Sequence, residues 1–171
     1  MKILGFDPGY GRLGFGLIEF PPLSKRGLGG VAGRVVAGRV VAVAYGVITT
    51  ASGRKTQDRL LEIKNDAESL IKAHKPNLIA IEELFFAKNV TTALKVAEVR
   101  GVLLMLAAEH GIAVQEVKPV EVKMALTGYG KADKRQMQAM VKTVFGLSKV
   151  PKPDDAADAL AIAWSAMGIR R

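Results

Sequence analysis

Cysteine is absent from this 171-residue chain. That excludes a disulfide framework, a thiolate nucleophile and a cysteine zinc site. Histidine is scarce: His74 and His110 are too few for a histidine-rich metal centre. Aromatic residues make up 6% of a chain that is 49% hydrophobic, so the core must be aliphatic. No run approaches the roughly 20 apolar residues of a membrane helix. The N-terminus lacks the charged region and cleavage pattern of a secretory signal, so a cytoplasmic location is expected. Acids are outnumbered: 25 Lys+Arg against 16 Asp+Glu give a net charge of +9 and a pI near 9.9. Such an excess favours polyanions, nucleic acid first and anionic membrane second, with a merely solubilising surface as the plainer alternative. The length fits one domain spanning 1–171, and a chain of this size buries about 70% of its unfolded surface.

Against this basic background, four carboxylates occupy costly positions. Asp7 ends the apolar run Lys2-Ile3-Leu4-Gly5-Phe6-Asp7, and Glu82 ends Leu78-Ile79-Ala80-Ile81-Glu82. Asp155 and Asp158 stand at the front of an alanine-rich stretch, 154–163. A carboxylate beside a buried strand loses hydration, which is unfavourable unless a cation or hydrogen bonds compensate. If the fold gathers all four, repulsion forces protonation unless divalent metal binds. Oxygen donors of this kind suit Mg²⁺ or Mn²⁺.

Each acid also has a plainer reading. Asp155 and Asp158 are three apart, which puts both on one helix face near the positive end of the dipole. Helix capping accounts for Asp154 and for one member of the pair. Asp7 precedes Pro8-Gly9, where an Asx-type turn is the alternative. Glu82 and Glu83 are adjacent, so strand alternation sends them to opposite faces, and parity alone leaves open which faces Asp7.

Elements follow from periodicity and breakers. Residues 2–7 and Leu13 to Phe20 read as strands joined by Pro8-Gly9-Tyr10-Gly11. Residues 21–34, with two prolines and four glycines, read as a flexible loop. Val31-Ala32-Gly33-Arg34-Val35 is duplicated at 36–40, a period too short for a solenoid and consistent with a slipped duplication that lengthened a loop. A third strand is expected over 40–50. Helix 56–74 carries Leu60, Leu61, Ile63, Ala67, Leu70 and Ile71 as its apolar stripe. Strand 78–83 has no polar alternation before Glu82 and is expected to be buried on both faces. Helix 91–110 ends at Gly111, and strand 112–117 follows. Helices are expected from Pro119 to about Gly128, over 132–145 with Asp133 as cap, and over 154–168. Three strands followed by αβαβααα describe an α/β ribonuclease H-like fold, a mixed five-stranded sheet with antiparallel first three strands flanked by helices. A plain doubly wound α/β fold is the rival.

Several blocks together resemble the RuvC family of Holliday-junction resolvases. They are Leu4-Gly5-Phe6-Asp7-Pro8-Gly9 with Gly14-Phe15-Gly16, Ala80-Ile81-Glu82, Phe85, Ala87-Lys88-Asn89, Ala93-Leu94-Lys95, Arg100-Gly101, Val122-Lys123, and Asp155 through Ala163. The resemblance runs in order along nearly the whole chain, and the 21–40 insertion departs from it. It implies that Asp7, Glu82, Asp155 and Asp158 are the catalytic, metal-binding acids, which selects Glu82 over Glu83. The family carries Asp or His at the third position, here Asp155. It implies two divalent ions, Mg²⁺ or Mn²⁺, about 4 Å apart. It also implies paired symmetric nicking of four-way DNA junctions in recombination and repair, by a homodimer that works with RuvA and RuvB.

Further roles follow from the same resemblance. Lys123 and Lys134 match DNA contacts near the scissile phosphate, within a late basic group of Lys118, Lys123, Lys131, Lys134, Arg135 and Lys142. Phe85 matches a junction-probing aromatic that stacks on unpaired bases. Lys88 and Asn89, which follow shortly in the chain, are expected from that position to grip the backbone, and Phe86 is left to the core. Helix 91–110 is the expected dimer contact, although part of its stripe must cover its own sheet. A ribonuclease H-like enzyme acting on RNA, of the YqgF type, shares Asp-Pro-Gly without the Ile-Glu…Ala-Lys-Asn block. An actin-like kinase needs two lobes, and a non-catalytic DNA scaffold has no reason to keep four costly acids.

Overall fold

The structure is a computed structural model that describes residues 1–20, 40–84 and 90–167, with side chains from Thr92 onward in the third stretch. The expected 21–34 loop and nearly all of the duplicated repeat lie outside the described residues, as do Phe85, Phe86, Lys88 and Asn89.

The elements are β1 (Lys2–Asp7), β2 (Arg12–Glu19), β3 (Val41–Thr49), α1 (Thr56–His74), β4 (Leu78–Glu82), α2 (Val90–Glu109), β5 (Ala113–Val117), α3 (Pro119–Thr127), α4 (Lys134–Phe145) and α5 (Asp154–Ser165). One sheet runs in the order β3-β2-β1-β4-β5. The first three strands pair antiparallel, while β1–β4 and β4–β5 pair parallel, as the ribonuclease H-like reading requires.

Strand parity sorts the core into two layers. Ile3, Ile18, Ala80 and Val117 face α3, α4 and α5, whereas Leu4, Phe6, Leu13, Leu17, Ile79 and Ile81 face α1 and α2. On the first face, Gly5, Gly14 and Gly16 let the backbone of α5 rest almost directly on the strands. A Cβ on Gly5 would stand 2.7 Å from the Ala163 nitrogen, and one on Gly16 2.6 Å from that of Leu160. The alanines of α5 are the matching half of this contact: Ala156, Ala157, Ala159, Ala161 and Ala163 are all buried. These spaced glycines are thus a seat for a helix.

Helix ends follow local chemistry. Asp133 caps α4 by accepting from Gln136 N–H at 2.9 Å, and Gln136 returns a bond to Asp133 N–H. The helix therefore starts at Lys134 rather than at 132. Gly111, Gly128 and Gly146 close α2, α3 and α4 in left-handed conformations that only glycine adopts without penalty.

Helix α1 departs from its expected stripe. Ile63, Ala67 and Ile71 are buried, but Leu61 is 59% exposed and Arg59 is 7% exposed. Positions 59, 63, 67 and 71 form an i,i+4 row, and Leu61 lies about 200° round the helix from Ile63. Arg59 is held by Nε–H to Thr50 Oγ1 at 2.9 Å and Nη2–H to Tyr10 O at 3.0 Å, with its guanidinium 3.9 Å from the Tyr10 ring centroid. Arg59→Ala is expected to lower stability by about 3 kcal/mol, because it removes two charge-assisted hydrogen bonds, leaves Thr50 Oγ1 without its donor and opens a cavity. Urea denaturation reads this out; a midpoint unchanged from wild type would mean that the clamp contributes nothing.

Candidate active site

Strand register builds the centre. Phe6 pairs with Ile81 across the parallel β1–β4 ladder, so the next residues, Asp7 and Glu82, end side by side at the carboxyl edge of the sheet. This is where open α/β sheets place their ligands. Alternation then separates the adjacent acids. Glu82 shares a cavity of about 250 Å³ with Asp7, Asp158, Lys123 and Lys134. Glu83 opens on another side, beside Val114, Glu116 and Lys118.

Helix α5 supplies the other acids. Its N-terminal end lies over β2, where a Cβ on Gly14 would stand 2.8 Å from the Asp155 carbonyl carbon. Asp158 reaches the cavity, whereas Asp155 does not line it and sits on its β2 side, with Oδ2 4.0 Å from Arg12 Nη1. That Asp155 oxygen is buried without a hydrogen-bond partner. Neither Asp154 nor Asp155 is the cap residue of α5. That place belongs to Pro153, which makes no side-chain cap, and the Asp154 carboxylate pairs with Lys134 instead.

Electrostatics bind the group together. Burial pushes the Asp7 carboxyl up to about 7, helped by the charges of Glu82, Asp158 and Asp155 and opposed by Lys134. Glu82 is raised by burial and by Asp158, with Lys123 acting against it. Asp158 is raised by burial, against the pull of Lys134, whose Nζ is 3.8 Å from its Oδ2. An all-oxygen donor set, a mutually raised group of acids and an orphaned buried carboxylate oxygen fit a hard divalent cation. Among the described residues, no trio of His, Cys, Asp or Glu closes into a ready cage. Like-charge repulsion opposes a closer approach of these side chains.

Of the nine residues singled out from the sequence, Asp7, Glu82, Asp158, Lys123 and Lys134 line one cavity and Asp155 adjoins it. Phe85, Lys88 and Asn89 fall outside the described residues. Arg12 was missed. A single basic residue after a Gly-rich turn carries no signal until β2 is folded against α5.

The family described as "Crossover junction endodeoxyribonuclease RuvC" matches residues 3–166. The chain belongs to the RuvC family. A relative from Heliobacterium modesticaldum, named Crossover junction endodeoxyribonuclease RuvC, is 45% identical over 163 residues, covering 95% of this chain and 91% of its own. The relative of that name from Chloroflexus aggregans is 48% identical, covering 95% and 90%. The Thermus thermophilus RuvC structure superposes with a TM-score of 0.82 at 31% identity, over 98% of this chain and 97% of that one. T. thermophilus RuvC in complex with Holliday junction substrate gives a TM-score of 0.80 at 28% identity, over 96% and 92%. RuvC membership makes the reaction Holliday-junction resolution by an endodeoxyribonuclease acting in recombination and repair. RuvC nucleases depend on divalent metal, and four-way junction DNA is the substrate. Among the described residues no helix is long and apolar enough to cross a membrane.

Proposed function

We propose that Asp7, Glu82, Asp155 and Asp158 form the cutting centre and hold two divalent ions, Mg²⁺ or Mn²⁺. The observation that carries this reading is the convergence of Asp7, Glu82 and Asp158 on one cavity at the carboxyl edge of the sheet, with Asp155 beside it and the Asp7 carboxyl raised by burial and its acidic neighbours. Bound metal would supply an activated water and stabilise the leaving oxygen of a phosphodiester. Asp7, at the rigid end of a buried strand, would be a ligand of that metal. Glu82 and Asp158, from β4 and α5, would complete its donor set, and Asp155 would hold a metal or orient the water. Lys123 and Lys134 offset phosphate charge at the cavity wall, and Phe85, Lys88 and Asn89 act on the junction. Hydrolysis breaks the bond to the 3′-oxygen, leaving a 3′-hydroxyl and a 5′-phosphate.

Two symmetric cuts need two centres related by a two-fold axis, hence a homodimer. Helix α2 is its proposed seam: Leu94 and Met105 are exposed, while Val99, Leu103 and Leu106 pack on the chain's own sheet. The whole chain acts as one nuclease domain in the cytoplasm, with RuvA and RuvB as partners in branch migration.

Divalent-dependent, paired nicking of a mobile four-way junction tests the reading. Preference for single-stranded RNA over the junction would overturn it. For the cavity wall, Lys123→Ala and Lys134→Ala are each expected to lower the slope of log affinity against log salt by about 1. Unchanged slopes in both would remove these lysines from the DNA contact.

A further inference from the structure

The cations beside the acids fall on two sides. Lys123 and Lys134, from α3 and α4, stand on the Glu82 and Asp158 side. Arg12 stands on the other, at the start of β2. Its side chain is 62% exposed, and its Nη1 is 4.0 Å from Asp155 Oδ2, an oxygen that takes no hydrogen bond. The guanidinium is near enough to offset that carboxylate and too far to commit donors to it. An exposed pair at this distance stabilises little, so the position calls for another partner.

The turn that precedes Arg12 is fixed from below and flanked by a second cation. Tyr10 O accepts from Thr50 Oγ1 at 3.1 Å and from Arg59 Nη2 at 3.0 Å, and Gly11 O accepts from Thr50 N–H at 3.2 Å. The Tyr10 hydroxyl donates to Thr56 Oγ1 at 2.9 Å. The Tyr10 ring lies near two cations, with Arg59 Cζ at 3.9 Å and Lys95 Nζ at 5.1 Å from its centroid. Arg59 is buried and spent on the turn. Lys95 is exposed, and among the described residues no acid pairs with it. The ring holds its ammonium in place without neutralising it.

We propose that Arg12, which follows the Tyr10–Gly11 turn, and Lys95 of α2, whose ammonium lies over the Tyr10 ring, contact phosphates of the cleaved DNA strand on the β2 side of the acids, opposite Lys123 and Lys134. The strand is then gripped on both sides of the cut. Arg12 offers a planar fork matched to phosphate oxygens, and Lys95 a point charge. This grip rests on the reading of the four acids as the cutting centre.

The test measures binding of a synthetic four-way junction to the full chain carrying Asp7→Asn, at fixed Mg²⁺, from about 50 to about 200 mM salt. Adding Arg12→Ala and Lys95→Ala together is expected to lower the slope of log affinity against log salt by about 2, and to weaken binding roughly tenfold or more. Arg12→Lys restores part of the slope, since a charge remains without the fork. Lys75→Gly, at the far end of α1, leaves slope and affinity unchanged. A double variant indistinguishable from Lys75→Gly, or one with weakened binding at an unchanged slope, overturns the proposal. Cleavage by the Asp7→Asn chain itself overturns the acid centre on which it rests. An inert Asp7→Asn chain with unchanged slopes overturns the grip alone.

Discussion

Asp7→Asn is expected to lower junction cleavage by about a thousandfold or more, while junction affinity stays within a few fold of wild type. Asn keeps the size and one carbonyl oxygen but loses the charge that the cation needs. The acids repel DNA rather than attract it, so binding has nothing to lose from the change. The same substitution is expected to stabilise the metal-free protein. Burial and the neighbouring acids push the Asp7 carboxyl up to about 7 in the folded chain, from an ordinary value of 3.8. Below about pH 4 it is protonated in both states and imposes no penalty. As pH rises through the interval to about 7, the unfolded chain ionises first and folded stability falls. At neutral pH the gain from Asn is about 2–4 kcal/mol, and it shrinks as pH is lowered towards 4. Saturating Mg²⁺ or Mn²⁺ closes the gap by stabilising wild type alone. Cleavage on a cruciform substrate and thermal melts at pH 5 and 7.5, with and without metal, read all of this. Undiminished cutting, or a variant less stable than wild type at pH 7.5 without metal, would falsify the acid-centre account.

Gly5→Ala is expected to destabilise by about 3 kcal/mol, for the addition of a single methyl group. In an open strand, alanine would be slightly preferred to glycine. Here the methyl carbon meets the Ala159 carbonyl oxygen, the Ala163 nitrogen at 2.7 Å and the Ala163 Cβ at 2.9 Å. Two of the three are backbone atoms of a buried helix, which cannot rotate away. Helix α5 must lift, and Asp155 and Asp158 lift with it. Cleavage per folded molecule should therefore fall as well, which separates a displaced site from a smaller folded fraction. Gly53→Ala is the control, since no atom lies within 4 Å of its added carbon. Equal melting points for the two variants would mean that α5 yields without resistance.

The legible parts of this protein are those in which one local rule dominates. The apolar runs ending in Asp7 and Glu82, the Asp133 cap with its Gln136 partner, and the glycines closing α2 and α3 all express short-range preferences. They were readable at the level of whole elements. The stripe expected for α1 is one position too wide at Leu61, because residue types alone do not reveal how broad the covered face is. Arg59 was passed over because its partners, Thr50 and Tyr10, belong to elements that meet it only in the folded chain.

The sequence by itself determined the element order, the absence of cysteine, and which acids stand beside apolar runs. Those follow from residue type and spacing. Only the tertiary structure decided that Glu82 and not Glu83 faces Asp7 within the geometry, since that depends on the register of β4 against β1. It decided too that Gly5, Gly14 and Gly16 seat a helix, and that Arg12 stands beside Asp155. Each of these is a contact between segments far apart in the chain, set by strand register and the close approach of α5, and no local preference encodes it.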